Sequence, residues 1–366
     1  MKTVVVTTPS ASYPIYIGED LVLQIHQQLQ DCPVYQRCTD ILLVSNETVF
    51  PLYGGQVESG LTSGGKRVHS YILPDGEQYK TWEQAEAVLT FALKNRLSRH
   101  TVLLALGGGV VGDLAGFVAS IYLRGIPFIQ VPTTLLAQVD SSVGGKVAVN
   151  HSLGKNMIGS FYHPQAVIAD VHTLHSLPQR EWLSGLAEVI KHAIIWDNQF
   201  YSLLVKDQQQ VLSRDNRLLV DIVAKNCIIK AGVVGEDETE QGLRAILNFG
   251  HTVGHALERM TDYQRYRHGE AVSIGMVAAC QLAYEYGMLS ATDRDGIRSL
   301  LADWGLPVAL PDVDLDQIVQ GIGSDKKTVG DNITFILPDR IGHAKIVQHV
   351  ELDIIRRSLG AMEKEK

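Results

Sequence analysis

Short apolar runs rich in β-branched residues alternate with helical patterns through the first half of the chain. The runs predict strands over residues 40–45, 68–73, 101–106 and 128–131. Apolar spacing predicts helices over residues 82–95 and 110–123. This alternation predicts βαβ units built around a mostly parallel sheet.

Each predicted strand ends in a polar or glycine-rich turn. The turns are Asn46-Glu47, Pro74-Asp75-Gly76-Glu77, the run that starts at Gly107, and Pro132-Thr133-Thr134. In open α/β sheets, ligands bind at the carboxyl ends of the strands. We therefore expect all four turns to belong to one binding site.

The pattern changes near residues 174–178, after which long helical segments dominate. They are predicted over residues 180–195, 218–234, 243–261, 270–286 and 291–304, with a late hairpin of strands at 333–337 and 344–347. The predicted fold is an α/β Rossmann-like N-terminal domain, residues 1–174, and a mainly α-helical C-terminal domain, residues 175–366, with a cleft between them. A chain of 366 residues exceeds what one hydrophobic core usually holds, which favours two domains.

Composition narrows the class of protein. Hydrophobic residues make up 45% of the chain and charged residues 20%, which supplies a buried core and argues against disorder. The formal net charge of −8 argues against a general nucleic-acid binder, whose affinity depends on Lys and Arg. A small anionic substrate can still bind in a locally basic pocket.

The cysteines and the N-terminal residues indicate the cellular compartment of the protein. The four cysteines form no CxxC pair, which indicates a reducing environment and argues against a thiolate zinc site. The N-terminal residues lack the pattern of a signal peptide. Residues 101–123 carry a single charge, but their central glycines favour strand, loop and helix over a membrane span. We expect a cytoplasmic protein without a membrane partner.

The motif Gly107-x-Gly109-x-x-Gly112 follows a predicted strand and opens a predicted helix. Glycines permit a tight turn and let backbone N–H groups approach a pyrophosphate at the helix N-terminus. The alternative is an ordinary strand-to-helix turn, with Asp113 favouring the helix dipole. The motif follows a late strand, unlike that of the standard dinucleotide-binding fold. A P-loop ending at Lys146 is excluded, because Asp140 replaces its first glycine and Val147 its Ser or Thr.

Four polar residues of types that can bind a ligand or a metal ion lie on one predicted helix. Arg244, Asn248, His251 and His255 follow each other at steps of four, three and four, which makes one stripe of the helix predicted over residues 243–261. A solvated face usually carries Glu and Lys, whereas two His one turn apart suit a metal ion. His268 precedes another helix, whose N-terminus disfavours imidazolium and so predicts a neutral ring.

A Glu with two His would leave an open coordination position for a substrate oxygen, as catalytic zinc sites require. Glu188 is the candidate carboxylate, on the helix predicted over residues 180–195. Chemistry alone leaves two alternatives open, either His251 with His255 and His268 or a set that uses Glu188 or His192. Structural histidines without a metal are the third alternative.

Basic residues are numerous near these motifs, and each by itself would be an ordinary surface charge. The set is Arg124, Lys146, Lys155, Lys191, Lys230, Arg244, Lys326 and Lys327. Together they indicate a substrate with more than one negative group, such as a carboxylate and a phosphate.

Several motifs, in this order along the chain, resemble those of the 3-dehydroquinate synthase family within the sugar-phosphate cyclases. They are Gly107-Gly108-Gly109-Val110-Val111-Gly112-Asp113, Val131-Pro132-Thr133-Thr134-Leu135, Asp140-Ser141-Ser142-Val143-Gly144-Gly145-Lys146, Gly154-Lys155-Asn156, Ala187-Glu188-Val189-Ile190-Lys191, Asn248-Phe249-Gly250-His251-Thr252-Val253-Gly254-His255 and His268-Gly269-Glu270. The similarity runs from Pro74-Asp75-Gly76-Glu77 to Asp325-Lys326-Lys327. No single motif is specific for this family, but the ordered set of motifs is.

The resemblance implies a cytoplasmic, homodimeric lyase of the shikimate pathway, which serves aromatic amino-acid biosynthesis. Its reaction converts 3-deoxy-D-arabino-heptulosonate 7-phosphate to 3-dehydroquinate and phosphate, by transient oxidation with NAD, β-elimination, re-reduction and intramolecular aldol closure. The implied cofactors are NAD, expected in the domain of residues 1–174, and a divalent metal ion, Zn2+ or Co2+, expected with the substrate in the domain of residues 175–366. The implied partner is a small sugar phosphate, not a nucleic acid.

The resemblance also implies the residues of each site. It makes Glu188, His251 and His268 the metal ligands. Positions around NAD are Asp75, Gly76, Glu77, Gln78, Tyr79, Lys80, Gly108, Gly109, Val110, Val111, Gly112, Asp113, Thr133, Thr134, Asp140, Lys146, Lys155, Thr173, Leu174, His175 and Ser176. The catalytic set is Lys146, Asn156, Lys191, Glu240 and His255, and the substrate-binding set is Arg124, Lys230, Arg244, Asn248 and Lys326.

Roles within the implied site follow from charge. Lys230 and Arg244 are expected to bind the substrate carboxylate. Arg124, Asn248 and Lys326, or its neighbour Lys327, are expected to hold the phosphate, with Arg124 supplied across a dimer interface. Lys146 and Lys191 would stabilise hydroxyl or developing oxyanion groups, and His255 with Glu240 would relay a proton.

Two other classes of protein compete with this interpretation. A metal-dependent polyol dehydrogenase, such as the glycerol dehydrogenase group, shares the two-domain architecture and the glycine loop, but the basic residues are superfluous for glycerol. A non-enzymatic anion-binding or metal-storage protein is disfavoured because NAD-type, metal and basic motifs converge in one chain.

Overall fold

The computed structural model describes residues 1–261, 263–312, 314–323 and 333–362. The chain divides into two compact units, one made of Met1–Leu177 with Asn216–Thr239 and the other of Pro178–Asp215 with Glu240–Lys366. The predicted domain boundary between residues 174 and 175 assigns residues 216–239 to the second domain, whereas their contacts group them with the first unit. The assignment of NAD to one domain and of metal and substrate to the other stays a prediction. Lys326 and Lys327 lie outside the described residues.

The strands are numbered in chain order. They are β1 Lys2–Thr7, β2 Ser12–Gly18, β3 Asp40–Asn46, β4 Arg67–Leu73, β5 Val102–Gly107, β6 Phe128–Pro132, β7 Lys146–His151, β8 Gly154–Phe161, β9 Val167–Asp170, β10 Phe335–Arg340 and β11 His343–Val347. Seven of them form one sheet in the first unit, in the order β1-β2-β9-β6-β5-β3-β4. All its neighbouring strands are parallel except β1 and β2.

The α-helices are also numbered in chain order. They are α1 Ile25–Leu29, α2 Pro33–Arg37, α3 Gly55–Ser63, α4 Trp82–Lys94, α5 Gly109–Ile121, α6 Gln179–Trp196, α7 Asn198–Lys206, α8 Gln208–Leu212, α9 Asn216–Glu236, α10 His251–Met260, α11 His268–Glu285, α12 Ala291–Asp303, α13 Leu315–Gly323 and α14 Leu352–Gly360. No helix of the described chain is both long and apolar enough to cross a bilayer. The first unit is α/β and the second mainly helical, which confirms the predicted fold class.

The core of the first unit covers both faces of its sheet, because successive strand residues point to opposite sides. Leu42 and Val44 of β3 pack on one face with apolar residues of α4 and α5. Ile41 and Leu43 pack on the other face with α1 and α3. Strands β3, β5 and β6 are buried on both faces and read as continuous apolar runs, and the sequence predicts each of them within one residue of its observed ends.

Other strands of the first unit escaped prediction. These are β1, β2 and β9 of the large sheet and the separate antiparallel hairpin of β7 and β8. No position of β8 is fully buried, so this strand lacks a long apolar run. Strands β10 and β11 of the second unit form the predicted late hairpin.

The predicted continuous helix over residues 243–261 is wrong. A 3-10 helix spans Leu243–Asn248, and α10 starts only at His251. Gly250 separates them with a φ of 79°, in the left-handed region that glycine adopts without a steric cost. A Cβ there would also lie 2.7 Å from the Val272 carbonyl oxygen, so only glycine fits. Arg244 and Asn248 therefore do not share one helical stripe with His251 and His255.

Glycines bring three helices of the second unit into close contact. A Cβ on Gly269 of α11 would overlap the backbone of Ser184 on α6, and a Cβ on Gly275 would overlap the Gly250 carbonyl. The Ser184 hydroxyl accepts a hydrogen bond of 2.9 Å from the Gly269 N–H. These contacts set the positions of α6, α10 and α11, from which the candidate metal ligands project.

Candidate active site

Helix α6 carries a buried ion pair at the centre of the second unit. Glu188 is fully buried, and one of its carboxylate oxygens, Oε2, contacts the ammonium group of Lys191 one turn further along. A buried charge without a partner would be strongly unfavourable, and the pair avoids that cost. The other oxygen, Oε1, is left to face the two neighbouring helices.

His251 and His268 face this oxygen from α10 and α11. The Nε2 atom of each ring lies 3.9 Å from Glu188 Oε1. One ligand atom from each of the three residues lies within 4.8 Å of the others, which suits a shared divalent ion. The structure therefore brings together the three residues that the resemblance implies as metal ligands.

The ring nitrogens that point away from Glu188 have oxygen partners. His251 Nδ1 lies 3.1 Å from the Phe249 carbonyl oxygen, and His268 Nδ1 lies 3.6 Å from Glu258 Oε1. A proton on each Nδ1 leaves the lone pairs of both Nε2 atoms toward Glu188, as metal ligands require. Glu188 Oε1 is buried and accepts no hydrogen bond within the described chain. The donor set fits a tetrahedral zinc or cobalt ion with one open position.

The two imidazoles have opposite shifts of their pKa. Burial lowers the pKa of His251 well below its ordinary value, and the nearby Lys191 acts in the same direction. Burial also lowers the pKa of His268, but the carboxylates of Glu258 and Glu188 outweigh it and the pKa is raised. The sequence prediction of a neutral His268 considered only the helix N-terminus, whereas the Glu258 carboxylate acts on the pKa of this ring in the opposite direction. The neutral ring stays a prediction.

Other predicted site residues also lie in the second unit. The His255 ring contacts that of His251 edge to face, with centroids 5.2 Å apart. The Asn248 side chain donates a hydrogen bond of 2.8 Å to the Glu240 carboxylate. Arg244 is buried in the 3-10 helix before α10. His255 and Lys191 thus lie beside the candidate metal ligands, and the roles of Asn248, Glu240 and Arg244 stay predictions.

In the first unit, the glycine motif forms the turn between β5 and α5. Gly108 is the N-cap residue of α5, so the first free N–H groups of the helix lie at the carboxyl end of β5. A Cβ on Gly108 would lie 2.9 Å from Thr134 Cγ2. The Thr133 hydroxyl is buried and lacks a hydrogen-bond partner in the described chain. An open helix N-terminus with an unsatisfied hydroxyl nearby fits the phosphates of a dinucleotide such as NAD.

The turns after β3 and β4 meet through Asp75. The Asn46 amide donates to one Asp75 oxygen and the Thr48 hydroxyl to the other, each at 2.6 Å. This contact joins two of the four turns that are expected to belong to one binding site. Gly76, with a φ of 120°, lets the chain turn directly after Asp75.

Lys80 joins three segments of the first unit. Its ammonium group donates to Asp113 Oδ2 at 2.5 Å and to Asn156 Oδ1 at 2.6 Å. Burial raises the pKa of Asp113, while Lys80 acts against that shift. Asp113 is therefore an ion-pair partner and does more than favour the dipole of α5.

A second buried lysine of this unit contacts the segment before β7. Lys230 on α9 donates to the Asp140 backbone carbonyl at 2.7 Å and to its carboxylate at 2.6 Å.

The other predicted residues of the first unit are placed as follows. Lys146 is exposed at the start of β7, and Arg124 is exposed with a φ of 69°. Of the predicted positions around NAD, residues 173–176 lie on the 3-10 helix Val171–Ser176, where Ser176 pairs with Tyr53.

Sequence reasoning missed Glu258. It is 4% exposed and, with His255 and His268, forms a second group of potential metal ligands. Its position seven residues after His251 and three after His255 puts all three on one side of α10. That spacing was the available signal.

Comparison with solved structures places this architecture among synthases that contain NAD+ and a divalent metal ion. One is a 2-deoxy-scyllo-inosose synthase complexed with carbaglucose-6-phosphate, NAD+ and Co2+, which matches with a TM-score of 0.85, 25% identity and coverage of 99% of this chain and 100% of that one. Another is the 2-epi-5-epi-valiolone synthase of Streptomyces hygroscopicus subsp. jinggangensis with NAD+ and Zn2+, with a TM-score of 0.86, 26% identity and coverage of 95% and 96%.

The family follows from closer relatives. The models of the 3-dehydroquinate synthase N-terminal and C-terminal regions match residues 70–184 and 185–328. A 3-dehydroquinate synthase of Desulforamulus reducens is 49% identical over 97% of this chain and 99% of its own length. This chain belongs to the 3-dehydroquinate synthase family.

Proposed function

We propose that this chain converts 3-deoxy-D-arabino-heptulosonate 7-phosphate to 3-dehydroquinate and inorganic phosphate. The observation that carries the proposal is the convergence of Glu188, His251 and His268 on one point in a chain of this family. Family membership over nearly the whole length supports the reaction, and the buried donor set supports its dependence on a metal ion.

The cofactors of the proposed reaction are NAD and Zn2+ or Co2+. When bound, NAD supplies reversible hydride exchange and the metal ion supplies a Lewis acid for hydroxyl oxygens. Glu188, His251 and His268 would hold the ion. The turn at Gly108 and Gly109, with Thr133 and Asp75, would hold the dinucleotide.

The basic residues are assigned by charge to the two ends of the substrate. Lys230 and Arg244 are both buried cations, and they bind the carboxylate through charge-assisted hydrogen bonds. Asn248 and the predicted Lys326 bind the phosphate, together with Arg124. Charge-assisted hydrogen bonds of this kind orient the substrate as well as bind it.

Proton transfer is assigned to the second unit. Glu240 accepts a hydrogen bond from Asn248, which fixes one of its oxygens and leaves the carboxylate oriented. His255, with its ring against His251, would exchange the proton with Glu240. Lys191, held by Glu188, would stabilise negative charge that develops on a substrate oxygen, and Lys146 and Asn156 would bind hydroxyl groups.

The proposal includes a homodimer in the cytoplasm. Arg124 is exposed on its own unit, with a left-handed backbone conformation, and would complete the phosphate site of a second copy. Size-exclusion chromatography with light scattering tests the dimer. A monomer at micromolar concentration that retains full turnover would contradict the role of Arg124.

The deciding experiment measures phosphate release from the heptulosonate phosphate in the presence of NAD+ and zinc, while NADH absorbance is followed. We expect phosphate to be released without net accumulation of NADH. A polyol dehydrogenase would instead accumulate NADH with glycerol and release no phosphate. A binding or storage protein would do neither.

A further inference from the structure

Glu258 lies in the last turns of α10, buried next to the candidate metal ligands. Its Oε1 atom lies 3.6 Å from His268 Nδ1, within ion-pair distance, and the residue is 4% exposed. The other nitrogen of the same ring, Nε2, lies 3.9 Å from Glu188 Oε1. The imidazole of His268 is therefore placed between two carboxylates, one on each ring nitrogen.

The two histidines of the metal set obtain their Nδ1 partners differently. His251 has a local one, the carbonyl oxygen of Phe249 two residues earlier. His268 is the first residue of α11, where the backbone presents free N–H donors rather than acceptors. An acceptor for a proton on its Nδ1 must come from another segment, and the Glu258 carboxylate of α10 lies at ion-pair distance from this nitrogen.

We propose that Glu258 is a positioning residue that holds His268 with its proton on Nδ1 and its Nε2 lone pair toward the metal ion. This inference rests on the proposed metal set. Carboxylates in this relation to a metal-bound imidazole set its tautomer and orientation and increase its basicity. Glu258 thus acts on the ion through His268 and does not coordinate it.

The competing arrangement makes Glu258 a direct ligand with His255 and His268, whose donor atoms also lie close enough together. Two observations favour the positioning role. Both Nε2 atoms of His251 and His268 point toward Glu188 Oε1, and this oxygen is buried without a hydrogen bond in the described chain. A metal held by the competing set would leave that oxygen unsatisfied.

The test compares Glu258→Gln and Glu258→Ala with the unchanged protein, using zinc affinity measured by chelator competition and the visible absorption of the cobalt-loaded protein. Loss of a partner of this kind typically weakens metal binding about 10- to 100-fold. We expect a weakening of this size for the alanine variant and partial rescue by glutamine, which keeps an acceptor oxygen. The cobalt spectrum should keep the intensity of the unchanged site.

Glu285→Gln is the matched control. Glu285 is a carboxylate on α11 that contacts Arg357 and Gln281, and its loss should leave zinc affinity unchanged. Circular dichroism of the metal-free variants shows whether they fold, and the glutamine variant keeps the test valid if the alanine variant does not.

Three outcomes separate the hypotheses. Unchanged zinc affinity in both Glu258 variants, with affinity lost in Glu188→Gln, overturns the positioning role and leaves the metal set intact. Loss of the cobalt spectrum in Glu258→Gln with retention in Glu188→Gln shows that Glu258 is a direct ligand and overturns the inference. Retention of zinc in both Glu188→Gln and His268→Ala contradicts the proposed metal set itself.

Discussion

The ammonium group of Lys80 lies 2.5 Å from the Asp113 carboxylate, so a buried cation is paired with an acid near the start of α5. The side chain of Lys80 is 5% exposed and that of Asp113 17%. The same lysine reaches Asn156, which has a left-handed backbone with a φ of 55°. One side chain thereby connects the turn after β4, the first turns of α5 and the β7–β8 hairpin.

Replacing Lys80 with Met should destabilise the protein and weaken NAD binding. The substitution keeps the length of the side chain but leaves Asp113 buried without its partner, which costs about 3 kcal/mol in comparable buried pairs. Urea unfolding and calorimetric titration with NAD+ measure the two effects. The double variant K80M/D113N should recover stability without recovering NAD affinity; a K80M protein as stable as the original would show that the pair contributes nothing.

Glu188 and His268 should respond differently to substitution, although both are predicted metal ligands. Glu188→Gln removes the charge that compensates Lys191, which is 2% exposed, so it should lose both zinc and about 3 kcal/mol of the free energy of unfolding. The side chain of His268 is 29% exposed, so His268→Ala should lose zinc and activity with little loss of stability. Mass spectrometry measures the bound zinc, and thermal unfolding of the metal-free proteins measures the loss of stability. Equal destabilisation by both substitutions would contradict the Glu188–Lys191 pairing.

The elements that the sequence predicts well are those with a single dominant signal. Strands β3 and β5 are buried on both faces, so their apolar runs are continuous. In β1 only alternate positions are buried, and β8 is largely exposed. Each pairs with the strand next to it in sequence, β1 with β2 and β8 with β7, but neither is buried along its whole length as β3 and β5 are. The break at Gly250 was hidden because the polar spacing on either side of it matched a helical period.

The candidate metal site likewise has one part that the sequence predicts and another that depends on how the helices pack. The residue types and their helical spacing identify candidate metal ligands, but they do not decide among His251, His255 and His192. That choice depends on where α6 and α11 pack against α10, which is set by contacts such as Gly269 against Ser184. The resemblance to a family resolved the choice, and the structure places the same three donors together. The proposed role of Glu258 depends on the orientation of the His268 ring, which the sequence alone does not give.

The close packing of α11 on α6 leads to a prediction for Gly269. An added methyl group would overlap the Ser184 backbone, so Gly269→Ala should push α11 away from α6 and move His268 from Glu188. We expect zinc affinity to fall at least about tenfold and stability to fall by about 1–3 kcal/mol, the usual cost of overpacking. Chelator competition and urea unfolding measure both quantities.

Gly296→Ala provides the matched control for that substitution. Gly296 lies inside α12, and the nearest atom to an added Cβ is the Tyr201 hydroxyl oxygen at 3.7 Å, an ordinary contact. Alanine is favoured over glycine in helices, so this variant should gain about 0.5–1 kcal/mol and keep its zinc affinity. If both variants behaved alike, steric contact at Gly269 would not be the cause.

Lys230 tests the separation of substrate from cofactor. Its ammonium group is bonded to the Asp140 carboxylate and backbone carbonyl, and we assign it to the substrate carboxylate. Lys230→Ala removes a charge-assisted hydrogen bond worth about 1.5–3 kcal/mol, so KM for the sugar phosphate should rise about 10- to 100-fold. The Kd for NAD+ should change by less than about twofold, as measured by calorimetry. Lys225→Ala, a lysine on the same helix outside the proposed site, should alter neither constant. A parallel loss of affinity for substrate and for NAD+ would move Lys230 to the cofactor site, because only a group that binds the dinucleotide or shapes its pocket weakens both.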